Sequence, residues 1–180
     1  MEKQLSLLSD SIQAKQPQSV IKHIINQPSI IIYIDGAARG NPGPAGAGIY
    51  ITIDEKPTIK KGLYLEEKTN NQAEYLALLI ALLLTQEMCK KHDLTHPHVS
   101  IFSDSELLVR QMNGAYKTKN PILAQLKKII SSLLQTISYS FTHVTRDKNK
   151  IADKLANEGI DKKRAIPSNI AKILADYGVC

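Results

Sequence analysis

The segment that most restricts the fold is residues 30–34, four isoleucines and one tyrosine in a row, followed by Asp35 and Gly36. A short run this dense in β-branched and aromatic residues predicts a strand that is buried on both faces, near the centre of a sheet. A Gly/Pro cluster at 40–44 then predicts a turn. The remaining pattern predicts strands at 47–53, 58–65, 98–103 and 137–144, a turn at 54–57, and helices at 71–91, 105–112, 121–136 and 150–159, with a last helix opening at Pro167.

The order of these elements predicts an α/β fold. Three strands joined by short turns come first and favour antiparallel hairpins, whereas the two later strands follow helices and favour parallel crossovers. We therefore expect a mixed five-stranded sheet, with three antiparallel strands and two parallel additions, flanked by helices.

The 180 residues fit one main domain with short appendages. Residues 1–28 predict an N-terminal helical extension, because two short apolar stripes recur there at helical spacing on either side of Pro17. The stripes are Leu5, Leu8 and Ile12, and then Val20, Ile21, Ile24 and Ile25. The main domain is placed at 29–160, and 161–180 are expected to form a C-terminal tail with a short helix.

Composition argues against several classes of protein. Cys89 and Cys180 share no ligand-like spacing, which disfavours a disulfide framework or a structural zinc site. The longest apolar run, residues 75–84, is about half the length of a bilayer span. The first residues resemble neither a secretory nor an organellar signal. We expect a monomer in a reducing compartment, the cytoplasm, without membrane association.

Positive charge is concentrated in one region of the sequence. Residues 117–164 carry 11 basic and 4 acidic side chains, so the remainder of this +6 chain sums to −1. One basic region on an otherwise neutral chain predicts a polyanionic partner, with nucleic acid the first choice. A solvated, lysine-rich helix face explains the charge equally well.

Four acidic residues are positioned to meet at one edge of the sheet. Asp35 is expected directly after the first strand and Asp104 directly after the fourth, at the edge where α/β sheets place their sites. Glu74 and Asp153 are expected in the first turns of the helices that follow. Four converging carboxylates repel one another and therefore require a cation, and a ligand set made only of acids suits Mg²⁺ or Mn²⁺. Two such ions can clamp the attacking and leaving oxygens of a phosphodiester.

Each carboxylate also has a purely structural explanation. Asp35 with Gly36 can form a turn, and Asp153 can pair with a lysine on an exposed helix face. The segments 71–74 and 103–106 both have the form of a capping box, so Glu74 can simply close a helix end. Taken one at a time these explanations are favoured, but the four acids together are harder to explain in this way.

Four blocks of sequence carry a family resemblance. They are residues 35–46 (DGAARGNPGPAG), 69–74 (TNNQAE), 103–105 (SDS) and 149–153 (NKIAD), each with one acidic residue. In this order they resemble ribonuclease H type 1, over about residues 29–160. The resemblance implies that Asp35, Glu74, Asp104 and Asp153 bind two Mg²⁺ ions, with Asp35 bridging them and Mn²⁺ as an alternative metal. It also implies cleavage of the RNA strand of an RNA/DNA hybrid, leaving a 5′-phosphate and a 3′-hydroxyl.

The resemblance further implies how the substrate is bound. Residues expected to line the hybrid's minor groove or touch the strands beside it are Gly36, Ala37, Ala38, Arg39, Asn41, Thr69, Asn70, Asn71 and Gln72. Lys117 and Lys119 are expected to reach phosphates of the DNA strand. An ordinary hairpin turn explains the glycine-rich stretch if it is considered without the other blocks.

The sequence departs from many relatives in two places. No long basic protrusion follows the predicted helix at 105–112, so the compact branch of the family matches better. The loop before Asp153 carries Arg146 where many relatives carry a mobile histidine, and Arg146 is the expected catalytic helper; His143, at the strand end, is not expected to replace that histidine. His92, His96 and His98 are interpreted as a solvated loop, because Pro97 interrupts any helical pair of metal ligands.

Two other functions are compatible with this fold. One is a nuclease acting on DNA, similar to a junction resolvase or an integrase, but the Asn-rich blocks at 41 and 70–72 argue against it. The other is a non-catalytic nucleic-acid binder. Retention of all four acids argues against that function, since an unfilled carboxylate cluster destabilises the fold.

Overall fold

A computed structural model describes residues 28–95 and 97–179, and it contains one five-stranded sheet in the order β3-β2-β1-β4-β5. The strands are β1 (Ser29–Ala38), β2 (Gly43–Ile53), β3 (Lys56–Lys68), β4 (His98–Ser103) and β5 (Ser138–His143). β1 pairs antiparallel with β2 and parallel with β4, while β2 and β3 are antiparallel and β4 and β5 parallel. The mixed sheet with the first strand at its centre is thereby confirmed. The predicted extension at 1–28 lies outside the described residues, apart from Pro28.

In the described part of the chain, five helices flank the sheet. They are α1 (Asn70–Lys91), α2 (Glu106–Met112), α3 (Pro121–Leu134), α4 (Lys150–Lys162) and α5 (Ser168–Asp176), with one 3-10 turn at Arg146–Lys148. The connection between α2 and α3 contains no helix, as expected for the compact branch. No helix among the described residues has the length and apolar character needed to cross a bilayer.

α1 and α4 pack on opposite faces of the sheet. Successive residues of β2 face opposite sides of the sheet. The side chains of Ile49 and Ile51 lie in the core on one side, and the Cα atoms of Gly46 and Gly48 pack against α4 on the other. α1 is buried almost all round between the sheet, α3 and α5, because a helix without a polar face can only be stable when it is covered on every side. α5 covers part of it with the buried side chains of Ile170 and Leu174. The division of the chain at 160 remains a prediction.

The first hairpin is longer than predicted. β1 continues through Asp35 to Ala38, which pairs with Ala45, and β2 begins at Gly43 rather than at 47. The prediction that Asp35 follows the strand was therefore wrong. By composition, the glycines and alanines on both sides of the turn indicate a loop. In the structure they form a continuous ladder of backbone hydrogen bonds, and this pairing outweighs their low strand propensity. The turn at 54–57 is also shorter, with two residues, Asp54 and Glu55, at φ 47° and 64°.

The start of α1 differs from the prediction in a way that affects the acidic cluster. Thr69 is the N-cap, and it forms a capping box with Gln72: the Thr69 hydroxyl accepts from the Gln72 amide, and the Gln72 side chain accepts from the Thr69 amide at 2.8 Å. The capping box is therefore at 69–72 and not at 71–74, and the prediction that Glu74 lies in the first turn was wrong. Its carboxylate is therefore not used to close the helix.

Candidate active site

A close backbone contact places Glu74 next to Asp35. The Cα of Gly36 packs directly on α1, where a side-chain Cβ would stand only 2.1 Å from the backbone nitrogen of Glu74. Only glycine allows a strand and a helix to approach this closely. Both acids are buried, with 6% of Asp35 and 5% of Glu74 exposed to solvent. The tight contact between β1 and α1 is thus the reason that these two carboxylates share one small volume.

All four predicted acids interact at this edge of the sheet. Burial, and then the negative charges of Asp104 and Asp153, raise the pKa of the Asp35 carboxyl from 3.8 to about 7, while the Arg146 guanidinium opposes the rise. Burial also raises the pKa of the Glu74 carboxyl well above its usual value, with further contributions from Asp35 and Asp104. The structure therefore brings together the four carboxylates that the sequence places on four separate elements.

Asn149 is a residue of this site to which the sequence analysis gave no role. It is buried, and its side-chain nitrogen donates to the carbonyl of Ile34 at 2.8 Å and to the carboxylate of Asp104 at 2.6 Å. Its amide oxygen is buried without a described partner. Asn149 thereby joins the central strand, the end of β4 and the start of α4. The only signal in the sequence was its place at the head of the block that ends in Asp153.

Arg146 lies at the outer side of the cluster. Its guanidinium contacts the Asp153 carboxylate at 2.6 Å, and 78% of the Arg146 side chain is exposed. The 3-10 turn before α4 holds it there. His143 contacts the backbone carbonyl of Asp104 at 3.3 Å rather than its carboxylate. Arg146, rather than His143, is therefore the residue near Asp153 whose side chain contacts a carboxylate of the cluster.

The donor atoms of the cluster fit a divalent metal ion. In the described ranges 28–95 and 97–179, no three His, Cys, Asp or Glu side chains stand in a ready-made ligand arrangement. One carboxylate oxygen of Glu74, Oε2, is nevertheless buried without a hydrogen-bond partner among the residues that the structure describes. A buried, unpaired carboxylate oxygen is costly unless a cation faces it. Asp35, Glu74, Asp104 and Asp153 offer only hard oxygen donors, which suits Mg²⁺ or Mn²⁺.

The residues predicted to bind substrate form two neighbouring segments. The side-chain oxygen of Asn41 accepts a hydrogen bond from the backbone amide of Asn70 at 3.1 Å, so the hairpin turn and the start of α1 lie side by side. Asn41, Asn70 and Asn71 are exposed, whereas the side chain of Gln72 is used in the capping box. Arg39 contacts Asp161 at the end of α4, at 2.5 Å. Gly36, Ala37, Ala38 and Thr69 lie on the same two segments.

Two predicted contacts lie outside this group. Lys117 and Lys119 are exposed in the connection between α2 and α3, and in the described part of the chain neither ammonium group is hydrogen-bonded or paired to an acid of the cluster. Gln111 of α2 donates to the carbonyl of Lys117 at 3.3 Å and fixes the start of this connection. Of the three histidines interpreted as a solvated loop, His92 directly follows α1 and His96 lies outside the described residues. The loop interpretation was wrong for His98, which is the first residue of β4 and contacts the hydroxyl of Ser138 at 2.8 Å.

Comparison with known proteins identifies the family. Residues 33–159 match the family described as Reverse transcriptase-like. The solved structure of LC11-RNase H1 in complex with an RNA/DNA hybrid is 44% identical, covers 74% of this chain and 98% of that chain, and superposes with a TM-score of 0.70. This chain belongs to the ribonuclease H type 1 family. The five-stranded sheet described above is therefore this family's fold.

Two curated members of the ribonuclease H family are longer than this chain. Ribonuclease HI of Halobacterium salinarum is 38% identical over 131 residues, which cover 72% of this chain and 63% of the relative. A bifunctional protein of Mycobacterium tuberculosis is 34% identical over 154 residues, covering 81% of this chain and 40% of the relative. The chain thus spans less than two thirds of the length of these two relatives.

Proposed function

We propose that this protein is an endoribonuclease that hydrolyses the RNA strand of RNA/DNA hybrids with two divalent metal ions. Mg²⁺ is the expected ion, with Mn²⁺ as an alternative, and cleavage leaves a 5′-phosphate and a 3′-hydroxyl. Two relatives support the activity and substrate: the Halobacterium salinarum protein is named Ribonuclease HI, and LC11-RNase H1 forms a complex with a hybrid.

The acidic cluster carries this proposal. A carboxyl such as that of Asp35, with its pKa raised to about 7, and an unpaired buried oxygen on Glu74 make the metal-free cluster unfavourable. Asp35, Glu74, Asp104 and Asp153 would hold the ions. Bound divalent ions supply Lewis acidity at a phosphodiester and make an attacking hydroxide available near neutral pH. The protein fixes the carboxylates through Gly36 and Asn149 before any substrate arrives.

Substrate selection would depend on the two segments beside the cluster. A protein can distinguish RNA from DNA in a duplex through the 2′-hydroxyl and the groove shape that it imposes. The Gly36–Arg39 backbone and the exposed side chains of Asn41 and Asn70 present short polar groups suited to reading hydroxyls across a shallow minor groove. Lys117 and Lys119 would contact phosphates of the DNA strand without reading sequence.

One cleavage assay tests the proposal. Strand-labelled RNA/DNA, DNA/DNA and RNA/RNA duplexes are incubated with the full chain in Mg²⁺, Mn²⁺ or EDTA. We expect cleavage of the RNA strand of the hybrid alone, and none in EDTA. Equal cutting of DNA/DNA would instead identify a DNA nuclease of this fold, and hybrid binding without cutting under any metal would identify a binding protein.

Two variants connect the activity to the cluster. Asp35→Asn and Asp104→Asn each remove a ligand charge while keeping the shape, so they should abolish cleavage and leave hybrid binding in place. Asp176→Asn makes the same chemical change on the exposed end of α5 and is the matched control, which should cleave normally. Normal turnover by either cluster variant would contradict the metal assignment.

A further inference from the structure

A mostly apolar groove lies at the end of the molecule where α1 finishes, away from the start of α1 that carries Glu74. It encloses about 360 Å³ between the C-terminal half of α1, the residues that follow it and the end of α3. We call it the α1–α3 groove. Its walls include Leu82, Cys89, Leu94, Pro97, Leu133 and Ile137. Four of these side chains, Cys89, Leu94, Leu133 and Ile137, pack on the core yet remain partly exposed.

The chain enters the sheet beside this groove. Ser29, the first residue of β1, pairs in parallel register with His98, and Pro97 directly before His98 is part of the groove wall. Because the two strands run in the same direction, the chain before Ser29 arrives from the side on which the chain before His98 lies. Neighbouring strands are only about 4.8 Å apart. The start of β1, at Pro28 and Ser29, therefore lies beside the mouth of the groove.

That segment carries a matching apolar pattern. Val20, Ile21, Ile24 and Ile25 recur at helical spacing, so a helix here would present all four on one face. Three residues lie between Ile25 and Ser29, so their Cα atoms are at most about 14 Å apart when the chain is extended. That span is enough to reach the groove and short enough to restrict the segment to its neighbourhood. The first stripe, Leu5, Leu8 and Ile12, lies beyond Pro17 and much farther along the chain.

We infer that the segment 20–25 of this chain docks in the α1–α3 groove and covers it in cis. The four aliphatic side chains bury themselves against Leu94, Leu133 and Ile137, and the thiol of Cys89 lies beneath them. This docking is independent of the proposed nuclease activity, since the groove shares no residue with the acidic cluster. It assigns the appended N-terminal segment a role in completing the core of the domain.

The thiol of Cys89 provides a direct test. In the full chain with Cys180→Ser, Cys89 is the remaining cysteine, and its rate of alkylation by a maleimide reports whether the groove is covered. The double variant Ile21→Asp/Ile24→Asp should react roughly tenfold faster or more, because alkylation then requires no local opening. Leu5→Asp/Leu8→Asp makes the same chemical change in the first stripe and should react at the parent rate. Far-UV circular dichroism checks that each variant is folded.

The outcomes separate this docking from its alternatives. Equal alkylation rates for the parent and for Ile21→Asp/Ile24→Asp would overturn it, as would the same acceleration in the Leu5/Leu8 control. A second variant, Ile24→Cys in the Cys180→Ser chain, should form a disulfide with Cys89 within one molecule under mild oxidation. A disulfide-linked dimer in place of the intramolecular product would show that a second copy fills the groove, and would contradict docking in cis.

Discussion

The side-chain nitrogen of Asn149 donates to the Asp104 carboxylate at 2.6 Å and to the backbone carbonyl of Ile34 at 2.8 Å, so one buried amide connects two neighbouring parallel strands at the acidic cluster. Ile34 directly precedes Asp35 in β1. The position of Asp104 relative to Asp35 is therefore fixed by a third side chain, in addition to the sheet itself. Removing that amide should disturb both the stability and the site.

Asn149→Ala should lower the free energy of unfolding by about 1–3 kcal/mol, because it leaves the buried carbonyl of Ile34 and the partly buried carboxylate of Asp104 without their donor. Cleavage of the hybrid should fall more steeply than hybrid binding, since the variant misplaces Asp104 without altering the surface of the turn. Chemical unfolding and steady-state cleavage measure the two effects. Asn113→Ala is the matched control, because its amide donates to the backbone carbonyl of Phe141 in β5 at 3.3 Å and not to an acid of the cluster. Equal effects of both variants on cleavage would show that Asn149 has no special role.

The raised pKa of Asp35 predicts an unusual dependence of stability on pH. A carboxyl whose pKa is higher in the folded than in the unfolded chain binds more protons when folded, so stability declines as the pH rises between the two values. For Asp35 those values are 3.8 and about 7. The metal-free protein should therefore lose stability from about pH 4 to about pH 7, by up to about 4 kcal/mol from this group, and change little from it above that range. The raised pKa of Glu74 acts in the same direction.

Denaturant unfolding in EDTA across this pH range measures the effect. Asp35→Asn imitates the protonated carboxyl, so it should be more stable than the parent at pH 7 and show a shallower decline. Adding Mg²⁺ should stabilise the parent more at pH 7 than at pH 5, because the ion binds the ionised cluster. A parent whose stability rises with pH between 4 and 7 in EDTA would contradict the assigned interactions.

The sequence predicted which acids meet but not how each is held. The density of β-branched residues at 30–34 was enough to place β1 at the centre, and the order of elements then brought four acids to one edge. The start of α1 was not decidable from pattern alone, since 69–72 and 71–74 both fit a capping box. In the structure the capping box forms at 69–72, so the Glu74 carboxylate remains available to the cluster.

Contacts between distant residues were the part that the sequence could not show. The donation from Asn149 to Ile34 spans 115 positions, and no local pattern distinguishes this asparagine from a helix-capping one. The glycines of the first hairpin looked like turn residues, yet Gly46 and Gly48 lie against the α4 backbone and Gly36 against α1. The role of each of these glycines depends on the element that packs against it, and local secondary-structure propensity carries no information about that contact.

The contact at Gly36 predicts a large effect from one methyl group. In Gly36→Ala the new Cβ would stand 2.1–2.5 Å from backbone atoms of Ala73 and Glu74, which cannot move without shifting α1. We expect a loss of about 1–3 kcal/mol or more in unfolding free energy, and loss of cleavage as Glu74 separates from Asp35. The control is Gly114→Ala, where φ is +79° and no atom lies within 4 Å. It should cost about 1–2 kcal/mol from backbone strain alone and leave cleavage intact.

The exposed ion pair of Arg146 with Asp153 predicts that removing the Arg146 side chain lowers turnover but has little effect on stability. Because 78% of the Arg146 side chain is exposed, the pair should contribute less than about 1 kcal/mol to folding. Arg146→Ala should nevertheless lower kcat by about tenfold, with a smaller change in KM, if the guanidinium steadies a phosphate beside the departing product. Arg110→Ala removes a comparable surface pair, with Glu106 at 2.7 Å, and should leave kcat unchanged. An unchanged kcat in Arg146→Ala would place this residue outside the chemistry.

The same pair also predicts how Arg146 affects the metal requirement. Its guanidinium lies 2.6 Å from an oxygen of Asp153 that would otherwise be available to a divalent ion. Removing this competing positive charge makes the cluster more negative, so Arg146→Ala should reach half of its own maximal rate at a lower Mg²⁺ concentration than the parent. Arg146→Lys keeps the charge and should keep the parent's Mg²⁺ dependence, even where it loses the two-pronged geometry for a phosphate. A higher Mg²⁺ requirement in Arg146→Ala would mean that the guanidinium assists metal binding rather than competing with it.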